Sequence, residues 1–191
     1  MRTRSTLSAS LLLIAAVSLV ACSDPATKLP NYGSVPHFTM TDSQGHRFDS
    51  EQLHGHVWIA DFIYTNCPAA CPMMTARMHS LSKKVADDKD VRLVSISVDP
   101  ARDTPRVLND FARRFGGPTQ QWIFLTGTPE TVHSLAYQTF HMGDVLGKIE
   151  HSTKFSLVDE KGDIRGYYSS LGQDDISAML KDVSALRATR S

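Results

Sequence analysis

The sequence predicts an α/β domain: a mixed central sheet with helices on both faces and an N-terminal β-hairpin. Three observations predict it. Apolar runs suited to buried strands, at residues 57–64 and 91–98, alternate with segments of helical periodicity. A short strand pair precedes them, and a second pair with a closing helix follows. The composition, 191 residues with 41% hydrophobic and 21% charged, suits one globular domain with a core large enough to stand without staples.

Each element has its own signal. Residues 38–41 and 46–48, joined around Gln44-Gly45, read as the hairpin. Residues 57–64 suit a buried interior strand. A helix follows over residues 72–86, where Met74, Met78, Leu81 and Val85 recur at intervals of 4, 3 and 4. Residues 91–98 read as a second strand, ended by Asp99-Pro100. Thr104 is placed to cap a helix with Pro105 at its first position and Val107, Leu108, Phe111 and Phe115 inward. Residues 122–125 read as a third strand, and Thr128-Pro129-Glu130 opens a helix with Val132, Leu135 and Ala136 on one face. Residues 155–158 and 166–168 flank a turn at 159–163. Asp174 is placed to cap the last helix, whose stripe is Ile176, Met179, Leu180, Val183 and Leu186.

The N-terminus reads as an address. Arg2 and Arg4 give a basic start to an apolar run over residues 11–20, too short to span a bilayer at about 1.5 Å per residue. Leu19-Val20-Ala21-Cys22 resembles the bacterial lipobox, whose cysteine is lipidated and becomes the mature N-terminus. A plain secretory signal or a short anchor is the alternative. Ser23 after the cysteine favours the outer membrane in that pattern. Either way the domain is exported, to the periplasmic side of a bacterial membrane. The organisation is then a signal at 1–21, a lipidated N-terminus and tether at 22–36, and a domain at 37–191. Removing residues 1–21, with two of the 20 basic groups, leaves 170 residues and a net charge of −2. Neither that charge nor the balance of the whole chain suits general nucleic-acid binding, which wants a basic surface.

Lipidation of Cys22 would leave one thiol pair, Cys67 and Cys71, in a compartment that permits a disulfide. The pair lies where the first long strand becomes a helix. Unsatisfied N–H groups and the positive dipole end there favour thiolate. Three residues between the cysteines, two of which are Pro68 and Ala69, leave a loop in which both sulfurs can face one metal ion. A permanent structural disulfide is the plain alternative, but so short a loop gains little from cross-linking. Asp61 stands six positions before Cys67 inside the apolar strand, at the offset of the buried proton-handling aspartate of thioredoxins. Its plainer reading is a carboxylate at a sheet edge or paired with a lysine.

Eight histidines compete as a further ligand. His37, His46, His54, His56, His79, His133 and His141 have no spacing to the cysteines that selects them. His151 precedes the strand at 155–158, in the loop where thioredoxins place a cis-proline facing their cysteine pair, and no proline follows Pro129 here. Met73, Met74, Met78 and His79 suggest a metal relay, although Met74 and Met78 continue the apolar stripe. Asp99, Arg102 and Asp103 read as residues of a strand end and a helix start.

The order of elements, with the cysteine pair at the strand-to-helix junction, is the thioredoxin-like plan. Residues 64–72 (Tyr-Thr-Asn-Cys-Pro-Ala-Ala-Cys-Pro), 95–105 (Ser-Ile-Ser-Val-Asp-Pro-Ala-Arg-Asp-Thr-Pro) and His151-Ser152 followed by 155–162 resemble the Sco/SenC family. The resemblance implies an exported, membrane-tethered, thioredoxin-like copper protein. Such a protein helps build the dinuclear copper site of cytochrome c oxidase, as copper donor, as thiol reductant, or both. It implies copper ligands Cys67, Cys71 and His151, a copper-donor protein upstream, and the copper-site subunit of the oxidase downstream. The chain departs from the family at Ala69-Ala70, where many members carry an acidic residue followed by Val. Two thiolates and an imidazole suit Cu(I), while Cu(II) would recruit a weak further ligand. Structural zinc would want a fourth protein ligand. A thiol–disulfide oxidoreductase is the alternative function. A peroxidase is disfavoured because Tyr64 stands where peroxiredoxins place Thr.

Overall fold

The apolar run at residues 57–64 becomes the strand on which the cysteine loop is mounted. The structure, a computed structural model, describes residues 29–142 and 153–188. Cys22 and His151 lie outside the described residues. The elements in chain order are β1 (Thr39–Asp42), β2 (Arg47–Asp49), β3 (Val57–Ile63), α1 (Ala70–Lys84), β4 (Val91–Ser97) and α2 (Pro105–Arg113). They continue with β5 (Trp122–Thr126), α3 (Pro129–His133), β6 (Lys154–Val158), β7 (Ile164–Ser169) and α4 (Gln173–Ala188). A 3-10 turn at Ser50–Leu53 follows β2, and a π-helical stretch at Ser134–Thr139 extends α3.

The strands form one sheet in the order β2-β1-β5-β4-β3-β6-β7. β3, β4 and β5 run parallel, so α1 and α2 serve as their crossovers. β6 lies antiparallel to β3, and the β1–β2 hairpin pairs with β5 through Thr41 and Asp42. Gly45 turns that hairpin at φ 89°, a backbone region that a Cβ disfavours. This is the mixed, thioredoxin-like α/β arrangement expected from the sequence.

All seven residues of β3 are buried, and period-2 alternation divides them between two cores. Val57, Ile59 and Ile63 join Met74, Met78 and Leu81 of α1, Leu108 and Phe111 of α2, and Met179 and Val183 of α4. Trp58, Ala60 and Phe62 join Val132, Leu135 and Phe140 on the opposite face, with Phe38 and Phe48. Trp122 is wholly buried, packs at 4.7 Å from Phe124, and donates its indole N–H to the Ser95 hydroxyl at 3.0 Å. Burial of each such side chain is worth roughly 2–3 kcal/mol.

Three local expectations are corrected. α1 starts at Ala70 rather than Pro72, which brings Cys71 into its first turn. Val107 is 40% exposed. The α2 stripe runs instead through Leu108, Phe111 and Ala112, with Phe115 at its margin, so Val107 falls beside it. Asp174 does not cap α4, because the helix already begins at Gln173; it lies in the first turn with Asp175, where negative charge suits the dipole.

The segment read as tether is bound to the sheet from Leu29 onward. Tyr32 N–H donates to the Ile164 carbonyl at 2.9 Å, Ile164 N–H returns to Gly33 at 2.8 Å, and Val35 N–H reaches Gly162 at 2.8 Å. Arg165 fastens this strap: its guanidinium donates to the carbonyls of Leu29 and Pro30 at 2.8 Å and to Asp159 at 2.7 Å. Asp159 is 3% exposed, so loss of its cation would leave a buried charge unpaired. Arg165→Met should therefore lower stability by about 3 kcal/mol and release the Tyr32 and Ile164 amides to hydrogen exchange. Denaturant unfolding and exchange mass spectrometry check this, and unchanged protection at Tyr32 would contradict it.

Candidate metal centre

Strand β3 ends where Val98 N–H donates to the Ile63 carbonyl at 2.8 Å. The chain then turns tightly, with Cys67 N–H donating to the Tyr64 carbonyl at 3.3 Å. Helix α1 begins with Ala69 at its N-cap, a residue whose side chain cannot cap. The Cys67 sulfur takes that part: Cys71 N–H donates to Cys67 Sγ at 3.3 Å. Tyr64 N–H points at Cys71 Sγ from 3.5 Å. Both cysteines are buried free thiols, at 6% and 3% exposure.

The two thiols are made unlike. Burial pushes the Cys67 thiol up, but the backbone N–H groups of Cys71 and Ala69, with the Cys71 thiol and Tyr64 hydroxyl, outweigh it and bring the pKa to about 7. Burial also pushes Cys71 up, and the neighbouring Cys67 and Asp61 carry it to about 12 against the Tyr64 N–H. Cys67 is therefore the sulfur that ionises first, already in part near neutral pH, while Cys71 holds its proton until a metal or a base displaces it.

Asp61 neither sits at a sheet edge nor pairs with a lysine. It is fully buried in β3, opposite Ser95 in the parallel ladder. Alternation places it with Ile59 and Ile63 on the face that α1 covers. Among the described residues neither carboxylate oxygen has a hydrogen-bond partner, and the Ser95 hydroxyl accepts from Trp122 instead. Burial lifts its pKa to about 7, with Ser95 drawing weakly the other way.

Among the described residues no three His, Cys, Asp or Glu side chains cluster to hold a metal. The thiol pair contributes two soft donors, which suits a soft cation. No histidine among the described residues joins it. His37, His46 and His54 lie beside Asp49, Asp42 and Glu51. His56 faces the His54 carbonyl, His79 packs against Trp122, and His133 against Tyr137. His141 is exposed, with a left-handed backbone at φ 51°. Met74 and Met78 are core, while Met73 is 50% exposed.

The sequence reads Asp103 as part of a helix start, but its side chain crosses to the cysteine loop. It accepts from Thr65 N–H at 3.0 Å, Thr65 Oγ1–H at 2.6 Å and Ser97 Oγ–H at 2.6 Å. Nothing in the spacing of Thr65 and Asp103 marks this contact, which exists only once β3 and β4 are paired. Asp99 and Arg102 stay near one another at 3.5 Å, at the surface end of the same loop.

Two outcomes follow from these groups. Pulsed alkylation of the reduced protein, mapped by mass spectrometry, should modify Cys67 with a midpoint near pH 7 and leave Cys71 unmodified throughout; equal profiles would contradict the asymmetry. Asp61 keeps in the folded state a proton that the unfolded chain releases above about pH 4. Stability should therefore be greatest below that pH and fall, by a few kcal/mol, as pH rises to about 7. Asp61→Asn should abolish this slope in urea unfolding between pH 4.5 and 7.5, and a slope that persists would assign it to another group.

The sequence profile of the SCO1/SenC family matches residues 27–187. A SCO1/SenC family lipoprotein from Bacillus anthracis is 34% identical, with a TM-score of 0.73 over 84% of this chain and 98% of its own. BsSco, a member of the Sco family of cytochrome c oxidase assembly proteins in which a disulfide switch is identified, is 34% identical at a TM-score of 0.71 over 83% of this chain and 96% of its own. Arabidopsis thaliana ScoI, solved with copper bound, is 26% identical at a TM-score of 0.66 over 82% of this chain and 99% of its own. With its profile matched along most of its length, the chain belongs to the SCO1/SenC family.

Proposed function

We propose that this is an exported copper-binding protein, held to a bacterial membrane by a lipid on Cys22, that carries copper to the dinuclear site of a cytochrome c oxidase. The carrying observation is the pair of buried, free and unlike thiols at the start of α1. Copper is the cargo: Cys67 offers a thiolate, Cys71 a second sulfur once its proton leaves, and His151 the third donor. The copper-bound plant ScoI and the oxidase-assembly role of BsSco support this reading, and the lipoprotein from B. anthracis supports the anchor. Copper arrives from a donor protein and leaves to the oxidase subunit, each time by ligand exchange on the periplasmic side. Ser23 after the lipidated cysteine favours the outer membrane.

Asp61 favours a second activity at the same pair. As a thiol–disulfide oxidoreductase, the Cys67 thiolate attacks a partner disulfide and releases one partner thiolate. Cys71, giving its proton to the Asp61 carboxylate, then attacks Cys67 Sγ. The second partner thiolate leaves, the pair is oxidised to the Cys67–Cys71 disulfide, and the partner is reduced.

Cu(I) titration against a competing chelator tests the carrier reading. Cys67→Ser, Cys71→Ser and His151→Ala should each weaken binding at least a hundredfold, a loss on the order of 3 kcal/mol, while His37→Ala should not. The oxidised protein should bind no Cu(I) until it is reduced. Stoichiometric, tight Cu(I) retention by His151→Ala would overturn the ligand set.

A further inference from the structure

Asp103 is fully buried one residue before the Thr104 cap of α2, and it forms no ion pair among the described residues. A buried carboxylate without a cation persists only where hydrogen bonds replace its water. All three that Asp103 accepts come from Thr65 and Ser97. Starting α2 does not require this arrangement, because the Thr104 hydroxyl already accepts from Val107 N–H. The carboxylate is itself fixed: Asp103 N–H donates to the Asp99 carbonyl at 2.8 Å, and Ser97 is the last residue of β4. Both donors of Thr65 converge on it, and Thr65 lies between Tyr64, whose N–H faces Cys71, and Cys67.

We propose that Asp103 is a positioning residue for the thiol pair: by gripping both donors of Thr65 it clamps the loop to the end of β4 and so fixes how the Cys67 and Cys71 sulfurs face each other. This deepens the reading of Cys67 and Cys71 as the copper and redox pair, on which it rests. The clamp touches neither sulfur. It acts by holding Tyr64 N–H toward Cys71 and the Cys67 sulfur over the first turn of α1.

The experiment measures three quantities on reduced, full-length protein: melting temperature, Cu(I) affinity by chelator competition, and the dithiol–disulfide equilibrium against glutathione. Asp103→Asn keeps the shape but cannot accept all three hydrogen bonds. It should weaken Cu(I) binding about tenfold and shift the redox equilibrium about tenfold, or about 30 mV. Thr65→Val should move both in the same direction by less, and Thr65→Ser, which keeps both donors, should restore the parent values. Thr104→Ala removes the α2 cap and should lower the melting temperature while leaving affinity and redox equilibrium unchanged. If Asp103→Asn behaves like Thr104→Ala, the carboxylate is structural and the proposal fails. Where Asp103→Asn does not fold, Thr65→Val against Thr65→Ser decides. A parent protein that binds no Cu(I) would sink the carrier reading, and the redox equilibrium alone would then judge the clamp.

Discussion

A strand buried on both faces wants only apolar side chains, yet β3 carries a carboxylate at its centre and delivers two thiols from its end. The strand tolerates this because its backbone is held on both sides, by β4 along its whole length and by β6 through Trp58, Ile59 and Ala60. Backbone pairing of that extent fixes Asp61 against α1 whatever its protonation state. It also fixes where the chain emerges at Tyr64, and the sulfur geometry follows from that point.

The site lowers Cys67 chiefly through backbone N–H groups rather than through a cation, while burial and the neighbouring Cys67 and Asp61 raise Cys71. No Lys or Arg stands between Asp61 and Arg77 in the sequence. With Ala69 at the N-cap, the peptide groups of the first turn have no side-chain oxygen to satisfy them, and the Cys67 sulfur receives their hydrogen bonds. A helix start without a capping side chain thus becomes the device that draws Cys67 down, while burial beside Asp61 holds Cys71 up. An acidic residue in place of Ala69 would put a negative group at the same N-terminus, where it would compete for the same donors.

Much of this was legible in the sequence because periodicity reports burial. The β3 run, the α1 stripe and the Thr104-Pro105 helix start all appear in the structure with small shifts at their ends. Val107 misleads because an apolar residue adjoining a stripe looks like a member of it until the helix is rotated against the sheet. Asp174 misleads because a good capping residue also suits the first turn. The cysteine pair announces itself by its junction, but the Asp103–Thr65 contact spans 38 positions and depends on strand register, which no local pattern encodes. For Asp61 the sequence supplied the position inside the strand, while its lack of a hydrogen-bond partner among the described residues required the packed neighbours.

The N-terminal strap has a consequence for the crowd rather than for the single molecule. β7 is the last strand of the sheet, and its outer row of N–H and C=O groups would otherwise stand open beside the turn at Gly162. Held on a membrane as proposed, copies of the protein would meet far more often than the same number in free solution, and an open strand edge is a template for joining them. Residues 29–35 pair with the start of that edge, at Gly162 and Ile164, with Arg165 and Asp163 fastening them side chain by side chain. The stretch of chain that enters the domain is thus also a selvedge over the start of that edge, where another sheet would otherwise begin to be knitted on.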